Sequence, residues 1–337
     1  MSTELLPLHL YFPASVSRDF YVSRTITIGK LTELSLYCKA LIKEIGSAAP
    51  DFEDLTVPEV TISFGTPSLL RDSKDVPHVL AELKNAFHLA PDCRFTWVLD
   101  PELATTIHEG MHLSLPENGR VLLRMLSSSD DVLSALRYPH TFKDTVATAE
   151  ELRKNGASDL SVMLLQGAPA DTAERFRASL KAAADLGASA ILLRAWNPED
   201  KDLVRDLYET EKRLFLKKAV KPTDEVLQAT RTIADDYLPS RGYHEVCPSL
   251  YQLNPAALPS ESATPDTSQQ SDLQNKTAHP GSAVPASLAP NTSVLGLGAG
   301  AFTRMDGNSY RNTEDLTRYE KYSARFEMIA CDLVTEA

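Results

Sequence analysis

The chain has 337 residues, of which 43% are hydrophobic, and a formal net charge of −12. This size and composition allow one large α/β domain with an appendage. The acidic balance argues against a nucleic-acid partner, because phosphate contacts need clustered Lys and Arg. No apolar run approaches the roughly 20 residues that span a bilayer, and the N-terminus shows no secretory signal. We therefore expect no membrane span and a cytoplasmic location.

The first 200 residues alternate between strand-like and helix-like segments. Apolar and β-branched runs predict strands at 9–12, 60–64, 94–99, 120–126, 160–165 and 188–194. Helical periodicity predicts helices at 31–45, 75–87, 129–135, 142–155 and 173–186. Gly156 and Gly187 stand where helix C-terminal caps are expected, and Thr141 stands at an N-cap position. This alternation predicts a parallel sheet with right-handed crossovers.

Composition divides the chain into four parts. Residues 1–200 form the predicted core, and residues 201–254 form a helical and strand extension. Residues 255–292 are rich in Ser, Pro, Ala, Thr and Gln, so we predict a disordered insert there. Residues 293–337 predict a Gly-rich loop and a C-terminal helix. The elements predicted beyond the core are helices at 201–218, 222–237 and 313–333, and one strand at 243–253.

Four stretches of sequence point together to a known family. In chain order they read TISFGTPSLL, DVLSALRYPHT, LRKNGASDLSVMLLQGAP and LGLGAGAFTRMDGNSYRN. Together they resemble the radical-SAM family of oxygen-independent coproporphyrinogen III oxidase and the heme chaperone. The resemblance implies an α/β fold with a partial parallel (β/α) barrel. It also implies an iron–sulfur cluster and S-adenosylmethionine at the carboxyl ends of the strands.

The cluster ligands of that family are missing from this sequence. The family holds its [4Fe–4S] cluster with three cysteines spaced C-x-x-x-C-x-x-C in the loop after the first strand. Here those positions fall on Ser15, Asp19 and Val22. Ser and Val cannot replace a thiolate, and a single Asp cannot hold a cluster. The sequence therefore predicts a degenerate member in which the [4Fe–4S] cluster is absent.

Further family positions have also changed. Positions at which the resemblance implies polar or charged residues carry Val98, Leu126, Tyr138 and Met163. A triple-glycine turn before Thr-Pro is shortened to Gly65. Apolar side chains at these positions would fill the space and remove the need for buried polar partners. We therefore expect a vacated cofactor site.

The candidate binding residues lie at the presumed mouth of the barrel. They are Tyr11, Gly65, Thr66, Arg137, Arg194 and Trp196. Arg137 adjoins the changed arginine position and could substitute for it. Trp196 beside Arg194 could stack on a planar ligand, and packing of Trp196 in the core is an equal alternative. The catalytic residues remain unassigned, and the ligand candidates are S-adenosylmethionine and heme.

Three other features of the sequence could carry chemistry, and each also has a simpler structural explanation. His108-Glu109-Gly110-Met111-His112 matches H-E-x-x-H, which on a helix binds zinc, but Gly110 weakens the helix and no third ligand is evident. A solvated helix face is the preferred interpretation.

The segment 296–300 resembles a phosphate-binding loop. The preferred interpretation is that its glycines form backbone turns that require small residues. The four cysteines contain no C-x-x-C pair, so we expect small buried residues: Cys38, Cys93, Cys247 and Cys331.

The sequence thus favours a binding or accessory protein of the degenerate family type, a pseudoenzyme with a small-molecule or protein partner. A tetrapyrrole is suggested as the ligand by the resemblance alone. Two alternatives stay open. One is an enzyme that uses S-adenosylmethionine in non-radical chemistry, and the other is a zinc hydrolase that acts through His108 and His112.

Overall fold

A nine-stranded, mostly parallel sheet forms the centre of the fold in the computed structural model. The structure describes residues 4–13, 28–65, 67–102, 119–136, 138, 140–157, 159–197, 221–254, 292–305 and 307–333. Six strands run parallel: β1 (Leu8–Tyr11), β2 (Val57–Gly65), β3 (Leu89–Leu99), β4 (Gly119–Leu126), β5 (Leu160–Gln166) and β6 (Ala190–Ala195). Because strands consecutive in sequence are neighbours in the sheet, the order is that of a partial (β/α) barrel. The expected fold class is confirmed.

Within the described residues, six helices lie between these strands in the sequence. They are α1 (Leu31–Ala48), α2 (Pro67–Asp72), α3 (Val76–Ala86), α4 (Asp130–Ala135), α5 (Phe142–Lys154) and α6 (Ala173–Asp185). Strand residues such as Ile62, Trp97 and Val162 share one buried core with apolar residues of α1, α3, α5 and α6. Alternate strand residues, such as Leu122 and Met163, belong to a separate cluster. The two clusters lie on opposite faces, because successive strand residues point to opposite sides of a sheet.

Local sequence signals set the ends of these helices. The Thr141 side chain accepts a hydrogen bond from the Asp144 backbone N–H, and the Asp144 carboxylate accepts one from the Thr141 N–H, which completes a capping box. Gly156 and Gly187 have φ values of 91° and 65° just after α5 and α6. Both predicted glycine turns and the predicted N-cap are therefore confirmed.

The extension adds an antiparallel hairpin beyond β6. Its elements are α7 (Asp224–Tyr237), β7 (Tyr243–Cys247) and β8 (Leu250–Leu253). The prediction of one strand over 243–253 is wrong, because Pro248 and Ser249 form a turn in which Ser249 has a φ of 68°. Proline followed by a positive φ is typical of a type II turn. The helix predicted at 201–218 lies outside the described residues.

One of the cysteines that the sequence predicts to be buried lies on this hairpin. Cys38 on α1 and Cys93 on β3 are buried as expected. Cys247 is exposed, so the expectation of burial is wrong for this residue. It lies at the end of β7, which is the outermost strand of the sheet and therefore has a neighbour on one side only.

The C-terminal segment closes the other edge of the sheet. Its elements are β9 (Leu295–Leu297), β10 (Phe302–Met305), β11 (Asn308–Asn312), α8 (Leu316–Tyr322), α9 (Phe326–Ile329) and β12 (Ala330–Leu333). Strand β9 pairs with β1 in parallel, and β10, β11 and β12 form a small antiparallel sheet. The prediction of one helix over 313–333 is wrong, because the backbone is extended at Arg325 and Ala330, and the chain then pairs with β11.

The predicted division into parts can be compared with this arrangement. The extension and the C-terminal segment both contribute strands to the same sheet as the core. The predicted insert lies outside the described residues except for residue 292. In the part of the chain that the structure describes, no helix combines the length and apolar character needed to cross a membrane.

Candidate functional site at the strand ends

The carboxyl ends of the six parallel strands meet at one edge of the sheet, which is where α/β proteins bind ligands. We call this edge the mouth. It is defined by the residues at or just after each strand end: Tyr11, Gly65, Asp100, Leu126, Gln166 and Trp196. Polar side chains gather at the ends of β1 to β4, and apolar side chains gather at the ends of β3 to β6.

The apolar side is one buried cluster, which we call the mouth cluster. Its members are Val98, Leu122, Leu126, Val132, Leu133, Leu136, Tyr138, Met163, Leu165, Ala168 and Trp196. The cluster contains all four apolar or aromatic residues, at 98, 126, 138 and 163, that stand where the resemblance implies polar or charged residues. Three strands and the segment after α4 bring these distant positions together. The space between them is filled by packed side chains.

In the mouth cluster, Trp196 is deeply buried and Leu126 has an unusual backbone conformation. Trp196 is only 1% exposed, and its backbone N–H donates a hydrogen bond to the Gln166 carbonyl at 2.9 Å. Its side chain therefore packs in the core, the second of the two readings left open by the sequence. Leu126 has a φ of 62°, which costs a non-glycine residue about 1–2 kcal/mol. Complete burial of its side chain offsets that cost.

The polar side is organised by a paired arginine and aspartate. Arg124 donates two hydrogen bonds to Asp100, Nε to Oδ1 and Nη2 to Oδ2, both at 2.6 Å. The Asp100 backbone N–H donates to the Gly65 carbonyl at 2.9 Å, which fixes the aspartate beside the end of β2. On β1 and β2, His9 Nε2 lies 2.8 Å from Ser63 Oγ. A bidentate pair of this kind has defined geometry as well as strength.

His140 lies between the two sides of the mouth. Its side chain is 3% exposed, and its Nε2 has no hydrogen-bond partner. Burial lowers the pKa of His140 to about 4, although the nearby Asp100 and Asp144 carboxylates oppose this shift. The ring also contacts Tyr138 edge-on, with centroids 5.1 Å apart. At neutral pH the structure thus places a neutral imidazole with one unused ring nitrogen at the mouth.

The structure describes three of the candidate residues besides Trp196. The Tyr11 carbonyl accepts a hydrogen bond from the Tyr37 hydroxyl at 2.5 Å, and the Tyr11 ring lies edge-on to His9. Gly65 ends β2 with a φ of 78°, and half-buried Arg194 pairs with Leu165 across β5 and β6. The following positions lie outside the described residues: Thr66, Arg137, Ser15, Asp19 and Val22.

Sequence reasoning missed Asp100 and Arg124. The signal for Arg124 was a single charged residue within the apolar run VLLRML, at the alternation that places it on the opposite face from Leu123 and Met125. Asp100 directly follows a buried strand. His140 gives no such signal, because its burial and unused nitrogen depend on tertiary contacts.

The residues present do not fit the iron–sulfur cluster that the resemblance implies. Three thiolates must converge on such a cluster, and the loop 13–22 contains no cysteine. Cys38 lies on α1, Cys93 on β3, Cys247 on the outer hairpin and Cys331 on β12. None of these positions is a strand end of the mouth.

The zinc motif receives no support or contradiction from the structure. His108, Glu109 and His112 lie outside the described residues. Among the residues that are described, no group of three or more His, Cys, Asp and Glu side chains could hold a metal ion.

The Gly-rich segment 296–300 has a structural role. Its Gly298 N–H donates to Glu44 Oε2 at 2.8 Å, and its Ala299 N–H donates to the Tyr37 hydroxyl oxygen at 2.9 Å. A Cβ atom on Gly298 would lie 2.3 Å from the Tyr11 carbonyl oxygen. The amides already donate within the protein, so a phosphate has no use of them. The preferred interpretation, turns that require small residues, is confirmed.

Glu44 is the centre of a buried hydrogen-bond network. Besides Gly298, Asn312 Nδ2 donates to Glu44 Oε1 at 2.6 Å, and the Tyr319 hydroxyl donates to Oε2. Burial raises the pKa of Glu44 to about 7, while these hydrogen bonds lower it. We call Tyr37, Glu44, Gly298, Asn312 and Tyr319 the Glu44 network. These hydrogen bonds connect the C-terminal segment to α1. Sequence reasoning missed the Glu44 network, although Glu44 falls on the buried face of that helix.

Comparisons with known proteins agree with this fold. No protein-family profile and no curated protein matches the chain. Among solved structures, coproporphyrinogen III oxidase from Escherichia coli, described as a radical SAM enzyme, is 15% identical and superposes with a TM-score of 0.64. The match covers 99% of this chain and 72% of that chain. At this identity the likeness shows the fold, a partial barrel of the radical-SAM type.

Two other solved structures are more distant. Elp3 from Methanocaldococcus infernus is 16% identical with a TM-score of 0.41, covering 70% of this chain and 55% of its own. SuiB from Streptococcus suis, bound to S-adenosylmethionine, is 13% identical with a TM-score of 0.45, covering 70% and 48%.

Proposed function

We propose that this chain is a degenerate protein of the radical-SAM fold that has lost the [4Fe–4S] cluster and its radical chemistry. It acts as a binding or accessory protein, and its ligand enters at the mouth. The observation that carries the proposal is the convergence of Val98, Leu126, Tyr138 and Met163 in one buried cluster. Apolar packing at four such positions is what remains when polar cofactor contacts are no longer needed.

The likeness to a solved structure and the charged residues at the mouth suggest the chemical class of the ligand. The similar Escherichia coli protein is a coproporphyrinogen III oxidase, so a tetrapyrrole is the first candidate for this chain. A tetrapyrrole with carboxylate side chains has a planar apolar body and anionic groups. Half-buried Arg194 supplies a guanidinium group on the last strand of the mouth, and guanidinium binds carboxylates well. The unused Nε2 of His140 is a further polar atom, close enough to Asp100 to interact with it electrostatically.

The test is a ligand panel on anaerobically purified protein after iron and sulfide reconstitution. Iron, acid-labile sulfide and the absorbance spectrum report the cluster, and calorimetry reports binding of heme and of S-adenosylmethionine. We expect heme binding with no stoichiometric cluster. A stoichiometric [4Fe–4S] centre would end the proposal.

The same panel separates the alternatives. Binding of S-adenosylmethionine alone would favour an enzyme with non-radical chemistry that uses this molecule. Zinc that is retained through purification and lost on His112→Ala would favour a hydrolase. If none of these ligands binds, the accessory role would require a protein partner.

Matched variants locate the binding site. We expect Arg194→Ala to weaken heme binding, because Arg194 lies on the last strand of the mouth. Arg177→Ala is the control, since Arg177 is exposed on α6 and its guanidinium lies over the Tyr237 ring. Equal binding by both variants would place the ligand elsewhere.

A further inference from the structure

A second concave region lies between α1 and the C-terminal segment. It is a cavity of about 360 Å³, a volume in the range that small ligands occupy. Its walls are the end of α1, the 3₁₀ helix Ala49–Phe52, strand β9 and the chain from Ser323 to Ile329. Its lining shares no residue with those that define the mouth.

Aromatic rings form much of the wall. Phe52, Tyr310 and Phe326 line the cavity together with aliphatic residues of β9. Tyr310 and Phe326 meet edge-on with centroids 5.2 Å apart. Phe326 is nevertheless 50% exposed. A large apolar ring that remains half exposed beside a cavity is available to pack against the body of a ligand.

A buried hydroxyl in the wall lacks a partner. Ser323 is 2% exposed and its Oγ makes no hydrogen bond. Ser47, which lines the same cavity, donates its hydroxyl to the Ala324 carbonyl at 2.9 Å. An unsatisfied buried hydroxyl costs about 1–3 kcal/mol.

The charged residues of the lining favour a cation. The exposed side chains are the carboxylates of Asp51 and Glu327 and the guanidinium of Arg325, so carboxylates are in excess. Glu44 also lines the cavity, but its oxygens accept hydrogen bonds within the Glu44 network. Carboxylates and aromatic faces both attract ammonium groups. The net charge of −12 adds a long-range attraction for cations.

We propose that this cavity is a binding site for a small organic amine with an aromatic or apolar body. The ammonium group lies at the carboxylates of Asp51 and Glu327, and the body lies among the rings of Phe52, Tyr310 and Phe326. The site is independent of the function proposed for the mouth.

Three probes of one shape and different charge test the proposal on the full chain. They are 2-phenylethylamine, 2-phenylethanol and phenylacetate, titrated to millimolar concentration and followed by calorimetry and by thermal unfolding. We expect saturable binding of the amine, weaker binding of the alcohol and the weakest binding of the acid. Phenylacetate binding as tightly as the amine, or no saturable binding of the amine, would overturn the proposal.

Variants tie the binding to this cavity. We expect Asp51→Asn combined with Glu327→Gln to weaken amine binding by about tenfold or more, because both carboxylates lose their charge. Glu53→Gln combined with Asp54→Asn makes the same change of charge at neighbouring exposed residues outside the lining. That control should bind the amine as the unmodified chain does. Equal losses in the two double variants would reduce the effect to net charge and contradict the site.

A filling variant gives a second check that does not depend on charge. Ala324 lines the cavity and is exposed, so Ala324→Trp should occupy the space with little effect on the core. We expect it to abolish amine binding while thermal unfolding of the free protein remains close to that of the unmodified chain. Amine binding that persists in a folded Ala324→Trp protein would place the amine elsewhere and overturn the proposal.

Discussion

The Glu44 network and the mouth are two regions that each bury an ionisable side chain, and the hydrogen bonding of that side chain differs between them. In the Glu44 network the carboxylate accepts hydrogen bonds from a backbone amide, a side-chain amide and a phenol. At the mouth, His140 is as deeply buried, but its Nε2 has no partner. The first arrangement holds two chain segments together. The second leaves a polar atom at an edge of the sheet where ligands bind.

The difference shows which kind of buried polar group indicates function. A group whose hydrogen bonds are all made within the protein contributes to structure, and its removal leaves several partners unsatisfied. Removing a buried group whose polar atom makes no hydrogen bond should change the stability of the free protein little, because no hydrogen bond is lost. The two regions should therefore respond very differently to mutation.

The largest effect should come from Glu44→Ala. The substitution removes the acceptor of three donors and opens space between α1 and the C-terminal segment, so we expect the free energy of unfolding to fall by about 3–5 kcal/mol. Urea unfolding at pH 7 measures this loss. Lys43→Ala, at an exposed neighbouring position on the same helix, is the control and should change stability little. A loss below about 1 kcal/mol for Glu44→Ala would show that the network is not structural.

A smaller loss is expected from the mouth cluster. Met163→Ala removes a fully buried side chain from the packed centre of that cluster, so stability should fall by about 3 kcal/mol. The same unfolding experiment measures it. If Met163→Ala proved neutral, the mouth would contain loosely packed space, which would conflict with our proposal that apolar side chains fill a former cofactor site.

The Glu44 network should also make stability depend on pH. The pKa of Glu44 is raised from the ordinary 4.5 to about 7. The folded chain therefore holds a proton that the unfolded chain has released, and this group's contribution to stability falls as pH rises from 4.5 to 7. Between pH 5.5 and 7 the fall should be about 1.5 kcal/mol. Glu44→Gln should remove this pH dependence. The free energy of unfolding of the unmodified chain should therefore approach that of Glu44→Gln as pH rises. A difference between the two proteins that stays constant with pH would contradict the raised pKa.

The smallest effect is expected for His140. Because its pKa is lowered from 6.5 to about 4, neutral His140 contributes stability that is complete above pH 6.5 and is lost as pH falls toward 4. His140→Phe should remove this pH dependence and change stability at pH 7 by about 1 kcal/mol or less, since no hydrogen bond of Nε2 is lost. Unfolding at pH 5 and pH 7 tests both statements. A loss at pH 7 as large as that of Glu44→Ala would remove the contrast between the two regions.

The sequence alone determined the order of the six parallel strands and of the core helices other than the short α2, and several of their ends. These features depend on interactions within a few residues, such as the capping box of Thr141 with Asp144 or the left-handed turn at Gly156. The sequence also determined that the loop 13–22 has no cluster cysteines. The same local signals failed at Pro248, where proline and a positive φ at Ser249 made a hairpin out of one predicted strand.

Only the tertiary structure decided which distant residues meet. Val98, Tyr138 and Met163 lie far apart in the chain and converge because parallel strands and the turn after α4 place them side by side. Glu44 meets Asn312 because β9 pairs with β1 and carries the C-terminal segment back to α1. Burial, unused polar atoms and shifted pKa values arise from such long-range contacts, which no local pattern of residues encodes.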